Sequence, residues 1–381
     1  MVLVEQMKKY NVLYFSSGYS SVHKQIIESI RSKDCTVVPC LYTLHYSNRM
    51  FLCPDDAITY NNPSIFRGML FWKKRMDDIV DYYDKRIDWS DVSVLHAHLL
   101  YTDGYICSRL SERHGIPFLV TIRNTDLNTK YYSLPTIKRE MVKTVCGAST
   151  IIYLGKEYKS EFQKRLNNNV LKSNSSKFVC IPNGVDSFWH VNANNKRKCI
   201  NNKCFSIITV GRIEPNKNQE SVCRAIECLT RKGYEITYTL VGDKCDSKVE
   251  KIITSYSWTK IVPFQEKEKL IEFYRDNDIY VMPSKTETFG LVYVEALTQG
   301  LPIIYSKGQG FDGQFEEGVV GYHVNPYDVK DIENAIIQII NNYDAISSRC
   351  VAKSRVFTWD HIGDLFRGAY QKSIDEYNNS L

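Results

Sequence analysis

The stretch 279–306, IYVMPSKTETFGLVYVEALTQGLPIIYS, decides the fold. IYVMPS is short, apolar and β-prone. A polar turn with Gly290 follows. LVYVEALTQ then has the length and residue types of a helix, a glycine closes it, and LPIIYS is apolar again. Strand, helix, strand with one intervening turn is a βαβ unit, which requires the two strands to run parallel in one sheet.

The same alternation runs outward in both directions. Towards the C-terminus, DIENAIIQIINN reads as a helix. Towards the N-terminus, CFSIITVGRI, YEITYTLVGD and TKIVPFQ read as strands, with NQESVCRAIECLTRKG, SKVEKIITSYS and EKEKLIEFYRDN as helices between and after them. A separate series fills the first half. KYNVLYFSS, TVVPCLYTLHY, VSVLHAHLL, IPFLVTIRN, TIIYLG and KFVCIP are its strands, and HKQIIESIRSKD, DGYICSRLSERHG and KEYKSEFQKRL are among its helices. FRGMLFWKKRMDDIVDYYDKR, 66–86, reads as an amphipathic helix. It either packs Phe71, Trp72 and Met76 inward or offers aromatics and bases to a membrane. NNNVLKSNSSK near Asn167 reads as an exposed loop. Two series of alternating elements imply an α/β fold of two doubly wound Rossmann-like domains. The boundary is expected in the Asn- and Lys-rich segment 193–203. This gives a first domain over 1–192, a second over 193–355 and a terminal helix over 356–381.

Bulk properties agree. The chain has 381 residues, more than one ordinary core accommodates. It is 43% apolar and 24% charged, normal for a globular protein. No run of about 18 apolar residues suggests a membrane span. The N-terminus has no signal-peptide pattern, and the 12 cysteines show neither C-x-x-C nor zinc spacing, so free thiols in a cytoplasmic protein are expected. The net charge of +6 is uneven. Residues up to Asp186 hold 25 Lys and Arg against 18 Asp and Glu; the remainder holds 24 against 25. A basic first half suits an anionic membrane face or an acidic substrate as well as a plainly solvated surface. Nucleic-acid-binding patterns are absent.

In open α/β sheets, ligands gather beyond the C-terminal strand ends. GRIEPNKN follows the strand ending at Val210, so Arg212 and Lys217 stand where they could neutralise an anion, beside the helix beginning near Gln219. They could equally be solvated loop cations. Glu287 and Glu295 lie about two helical turns apart. Glu287 could merely favour the helix dipole. Glu295 has apolar neighbours in sequence, and a buried carboxylate needs a partner such as sugar hydroxyls. The amides of Phe289, Gly290 and Leu291 at the helix start could hold ligand oxygens.

In the first half, Gly18 in SSGYSS permits close backbone approach or simply makes a turn. His96 and His98 alternate at a strand end, and are either core residues or functional ones. Arg123 and Asp126 in RNTD end another strand and could serve phosphate and hydroxyl groups, or only an Asx turn. GQGFDG, 308–313, matches G-x-G-x-x-G, but no apolar helix follows it, so it is not read as a dinucleotide fingerprint.

Together these residues resemble glycosyltransferase family 4. The carriers are PS followed by E-x7-E and EA-x4-G-x-P in the second half, VGRIEPNKN, HAHLLYTDGY leading to RNTD, and the terminal FTWDHIGDLFRGAY. The resemblance implies the GT-B architecture, two Rossmann-like domains facing across a cleft, with the terminal helix returning to the first. It implies a retaining, metal-independent transferase that needs no cofactor beyond its UDP- or GDP-sugar substrate. Glu287 would contact the donor sugar, Glu295 the ribose, and Arg212 and Lys217 the diphosphate. Gly18 would lie near the donor phosphates, Pro263 and Phe264 at the base. Arg123 stands where the family often has histidine, which excludes a proton-shuttling role there and leaves an electrostatic one. Arg123, Asp126 and His98 complete the expected catalytic set.

The resulting expectation is a hexosyltransferase acting on a glycan or lipid-linked acceptor in surface polysaccharide synthesis, cytoplasmic, with room for peripheral contact between its basic first domain and an anionic inner membrane face. A sugar-nucleotide 2-epimerase of the same architecture, or a non-catalytic nucleotide-sugar-binding protein, are the alternatives.

Overall fold

The computed structural model describes residues 10–43, 53–61, 71–128, 134–194 and 200–379. The chain divides into two compact units: 1–154 with 159–182 and 359–381, and 155–158 with 183–358.

The first unit is built on a seven-stranded parallel sheet. Its strands are β1 (Tyr10–Ser16), β2 (Cys35–Tyr42), β3 (Ile58–Tyr60), β4 (Val94–Ala97), β5 (Phe118–Ile122), β6 (Thr150–Tyr153) and β7 (Phe178–Cys180). They lie in the order β3-β2-β1-β4-β5-β6-β7. Every neighbouring pair is parallel. β4 is buried at all four positions and β5 at all five. That two-sided burial explains why these strands read as continuous apolar runs rather than alternating ones. The sequence order reverses between β1 and β4, and the topological switch point lies there.

The second unit repeats the plan with six parallel strands: β8 (Cys204–Val210), β9 (Glu235–Val241), β10 (Thr259–Val262), β11 (Ile279–Val281), β12 (Ile303–Ser306) and β13 (Gly321–Val324). Their order is β10-β9-β8-β11-β12-β13, with the switch point between β8 and β11. Its core is rich in tyrosine, and two of the hydroxyls reach strand-end carbonyls. Tyr293 donates to Met282 O at 2.6 Å and Tyr280 to Val210 O at 3.2 Å, which ties the switch-point strand ends to the core.

The terminal helix, Trp359–Asn378, is part of the first unit. Its Ile362, Phe366 and Tyr370 pack with Val12, Tyr14, Ile26 and Ile27, and Arg367 Nη1 donates to Ser29 O at 2.6 Å and Ile30 O at 3.0 Å. Tyr370 and the buried His96 are hydrogen-bonded at 2.6 Å.

Three readings change. The units divide at Pro182, ten residues ahead of the expected boundary at 192. Helix Ser187–Val191 packs with the second unit: Trp189 lies edge-on to Tyr274, and Asp186 pairs with Lys267 at 2.6 Å. The segment after Asn167 is no loop. Asn167 Oδ1 accepts the Val170 N–H at 2.8 Å and starts helix Asn168–Asn174, an N-cap signal hidden in a polar run. The helix expected from 66 is described from Trp72 to Asp84; 66–70 lie outside the described residues. Trp72 and Met76 are buried, but Phe71, just before the first turn, is 44% exposed. Among the described residues, no helix is long and apolar enough to cross a membrane.

Candidate functional site

The switch point of the second unit gathers the residues singled out there. After β8, the segment 212–218 is zipped to 283–286 after β11 by two asparagines. Asn216 exchanges side-chain bonds with Thr286, Nδ2 to O at 3.0 Å and N to Oδ1 at 3.0 Å, and its carbonyl accepts Lys285 N–H at 2.8 Å. Asn218 is buried, holds the left-handed conformation at φ 60°, and donates to Pro283 O at 3.1 Å and Pro326 O at 2.6 Å. Asparagine tolerates that conformation better than most residues. Neither was identified from sequence as a site residue; the N-K-N spacing around Lys217 is the signal that carried the information.

This zipper sets Lys217 against Glu287. Lys217 Nζ lies 2.7 Å from Glu287 Oε2, and both side chains are more than four-fifths buried. Glu287 Oε1 accepts Thr288 N–H at 3.0 Å. Arg212 is different. Its side chain is 67% exposed, with Glu214 Oε1 at 3.4 Å. Lys217 is therefore held in a largely buried ion pair, whereas Arg212 is largely solvated.

Gly290, at φ 78°, starts helix Leu291–Thr298, and an added Cβ would meet the Tyr293 ring at 2.3 Å. Only glycine makes this turn. Phe289 is buried against Phe311 and Phe357, so its side chain belongs to the core. Glu295 follows on the same helix, half-buried, with Oε2 accepting from Tyr274 Oη at 3.0 Å. Burial pushes its carboxyl up to about 7, against the opposing effect of the Tyr274 bond. The partner that a buried carboxylate requires is thus a tyrosine of the protein itself. Pro263 and Phe264 follow the edge strand β10; both are exposed, Phe264 by 60%.

Among the described residues, one set of metal-capable side chains converges in this unit: Asp312, Glu317 and His323. They pair with one another, His323 Nδ1 lying 2.8 Å from Asp312 Oδ1 and 3.3 Å from Glu317 Oε1.

At the first unit's switch point, Gly18 lies just beyond β1, and a Cβ there would meet nothing within 4 Å. His98 is buried just beyond β4, with Nδ1 bonded to Tyr14 Oη. His23 was not identified from sequence. It sits in the first turn of helix Ser21–Ile30, its ring 4.1 Å from that of His98, between Ser16 Oγ at 3.0 Å and Ser20 Oγ at 2.7 Å. Burial lowers His23 to about 4 and His98 well below the usual range, with Arg123 acting in the same direction, so both are neutral at pH 7. His96 is a core residue, satisfied by Tyr370 and by Thr121 at 2.9 Å.

Arg123 is buried at the end of β5. Asp126 accepts main-chain N–H groups, Arg123 at 2.9 Å and Leu100 at 3.1 Å, and fastens the loops after β4 and β5. Asp103 does similar work, accepting Leu99 N–H at 2.8 Å and the Tyr42 hydroxyl. Burial raises both carboxyls to about 7.

Residues 191–355 match the family model described as glycosyl transferases group 1. The chain is 29% identical over 175 residues to D-inositol 3-phosphate glycosyltransferase of Mycolicibacterium smegmatis, covering 44% of this chain and 40% of that protein. It thus spans about two fifths of that relative's length. It is 24% identical over 290 residues to alpha-monoglucosyldiacylglycerol synthase of Acholeplasma laidlawii, covering 70% of this chain and 73% of that one. In structure it resembles Anabaena Alr3699/HepE, solved in complex with UDP, with a TM-score of 0.65, 16% identity, and 98% and 100% of the two chains covered. At that identity the likeness shows the fold alone: two parallel-sheet Rossmann-like domains, as in GT-B glycosyltransferases. Residues 191–355 belong to the glycosyl transferases group 1 family.

Proposed function

We propose that this protein is a retaining glycosyltransferase that moves a hexose-type sugar from a nucleoside-diphosphate sugar to a hydroxyl of a glycan or lipid-linked acceptor, as in surface polysaccharide synthesis. The observation that carries the reading is the largely buried Lys217–Glu287 pair at the switch point of a group 1 glycosyltransferase domain. The Anabaena protein of the same fold holds UDP, and the Acholeplasma relative is named for a glycolipid product.

In this reading Lys217 binds the diphosphate, and Arg212 adds a second cation from solvent. Glu287 orients the sugar, Glu295 takes the ribose hydroxyls, and exposed Phe264 offers a face to the base. The amides at Phe289–Leu291 add donors. Charge grows on the departing diphosphate, and a fixed ammonium stabilises it without a metal ion. The acceptor oxygen bonds to C1 on the face that the diphosphate leaves, the C1–O bond breaks, and the acceptor proton passes to the leaving phosphate. The first unit, with His98 and Arg123 at its own switch point and its excess of basic residues, takes the acceptor and can rest on an anionic membrane face. A thermal-shift panel of UDP-, GDP- and ADP-sugars tests the donor assignment, since a ligand that binds the folded state raises its melting temperature. NMR of the product anomer then tests retention. A panel without any shift speaks against the reading.

A further inference from the structure

The segment Gly308–Gly313, set aside above as a nucleotide fingerprint, has a different place in the structure. It leaves β12 and comes back against the loop that carries Glu287. Gln309 Oε1 accepts the Glu287 N–H at 2.9 Å, and Gly310 N–H donates to Glu287 O at 3.2 Å. Two successive residues therefore hold both main-chain polar groups of one carboxylate residue. The approach leaves no room for a side chain, because a Cβ on Gly310 would lie 1.7 Å from Thr288 O.

The segment is itself anchored. Asp312 Oδ2 accepts Gly308 N–H at 2.8 Å, and Asp312 N–H donates to Gln309 O at 2.9 Å. Asp312 Oδ1 is bonded to His323 on β13 at 2.8 Å. Phe311 packs against Phe289 and Phe357. The Asp312–Glu317–His323 set is thus the footing of this loop.

The side chain of Glu287 is held by Lys217, the cation a diphosphate would recruit. When Lys217 turns to a phosphate, the Thr288 N–H remains on Glu287 Oε1 at 3.0 Å, and the main-chain clamp from Gln309 and Gly310 fixes the backbone from which the carboxylate projects. We propose that Gln309 is a positioning residue of the transfer reaction, fixing Glu287 while Lys217 is engaged by the donor. This rests on the reading of Glu287 and Lys217 given under the proposed function. A group that orients a reacting partner acts on turnover more than on ground-state binding.

The test compares Gln309→Ala and Gln309→Glu with the parent protein in UDP binding, donor KM, kcat for transfer or donor hydrolysis, and melting temperature. Gln309→Ala lowers kcat at least tenfold, while donor KM and UDP affinity stay within twofold. Gln309→Glu keeps the accepting oxygen and restores most of the turnover. Unchanged kcat in Gln309→Ala overturns the inference. So does a parallel loss of UDP affinity, kcat and melting temperature in both variants, which marks a merely structural residue. Glu287→Ala and Lys217→Ala are measured alongside. If they leave turnover and UDP binding intact, the site assignment itself fails; if they lose them while Gln309→Ala does not, only the brace is refuted.

Discussion

Lys217 Nζ and Glu287 Oε2 lie 2.7 Å apart, each side chain more than four-fifths buried, although 70 residues separate them in sequence. A cation and a carboxylate are thus withdrawn together from solvent at a strand-end switch point, and in the proposed function the donor divides them, the phosphate taking one and the sugar the other. Breaking the pair by mutation leaves a charge without its partner, which costs more than the pair contributes. Lys217→Met should therefore lower stability by about 1–3 kcal/mol and nucleotide affinity at least tenfold. Glu287→Gln/Lys217→Met should recover much of the stability and none of the turnover. Denaturant titration and calorimetric binding of UDP and GDP separate the two effects. Glu287→Ala alone should abolish transfer while leaving the fold intact by circular dichroism.

Glu295 makes a prediction with a definite sign. Its carboxyl titrates near 7 in the folded chain against an ordinary 4.5. Between these values the folded protein holds more of this proton than the unfolded one, so this group's contribution to stability falls as pH rises from about 4.5 through 7. Glu295→Gln removes that contribution. The melting temperature of the variant should fall less steeply than the parent's across this window. Identical slopes would remove the assigned burial effect. Tyr274→Phe, which deletes the Tyr274–Glu295 hydrogen bond, should steepen the parent's decline.

The asparagine zipper predicts a coupling between stability and donor use. Asn216→Ala loses two side-chain hydrogen bonds to Thr286, each contributing about 0.5–1.5 kcal/mol. It should raise donor KM, because Lys217 is next in the chain. Kinetics on a variant that remains folded at assay temperature check this, and an unchanged KM would show that the zipper does not set Lys217.

Two glycines should behave oppositely. Gly290→Ala must place a Cβ 2.3 Å from the Tyr293 ring at φ 78°, so a destabilisation of about 1–3 kcal/mol is expected. Gly18→Ala meets nothing within 4 Å, so stability should change by less than about 0.5 kcal/mol. Any kinetic effect of Gly18→Ala then reports the close approach of a ligand.

Much of this was legible in the chain itself. The βαβ alternation around Glu287 indicated two parallel sheets because buried strands and amphipathic helices carry different periods. E-x7-E and the GRIEPNKN segment lie beyond the ends of β11 and β8, where the alternation of elements placed them. What local pattern could not show is pairing across the sequence. Tyr274 and Glu295 are 21 residues apart, Asn216 and Thr286 are 70, and Gln309 and Glu287 are 22. Asn167 was hidden because a capping asparagine in a polar run looks like any loop residue. Asp126 showed its residue type but not that its carboxylate is committed to main-chain N–H groups. His23 carried no motif; its place is defined only when β1 and β4 bring Ser16 and His98 to one edge.

The most direct test of the central claim is a crystal structure with an unhydrolysed UDP- or GDP-sugar bound, the nucleotide chosen by the thermal-shift panel. The account predicts the diphosphate beyond the ends of β8 and β11 with Lys217 turned from Glu287 to a phosphate oxygen, the ribose at Glu295, and the sugar at Glu287. A nucleotide sugar lodged elsewhere, with the Lys217–Glu287 pair still closed, would contradict it.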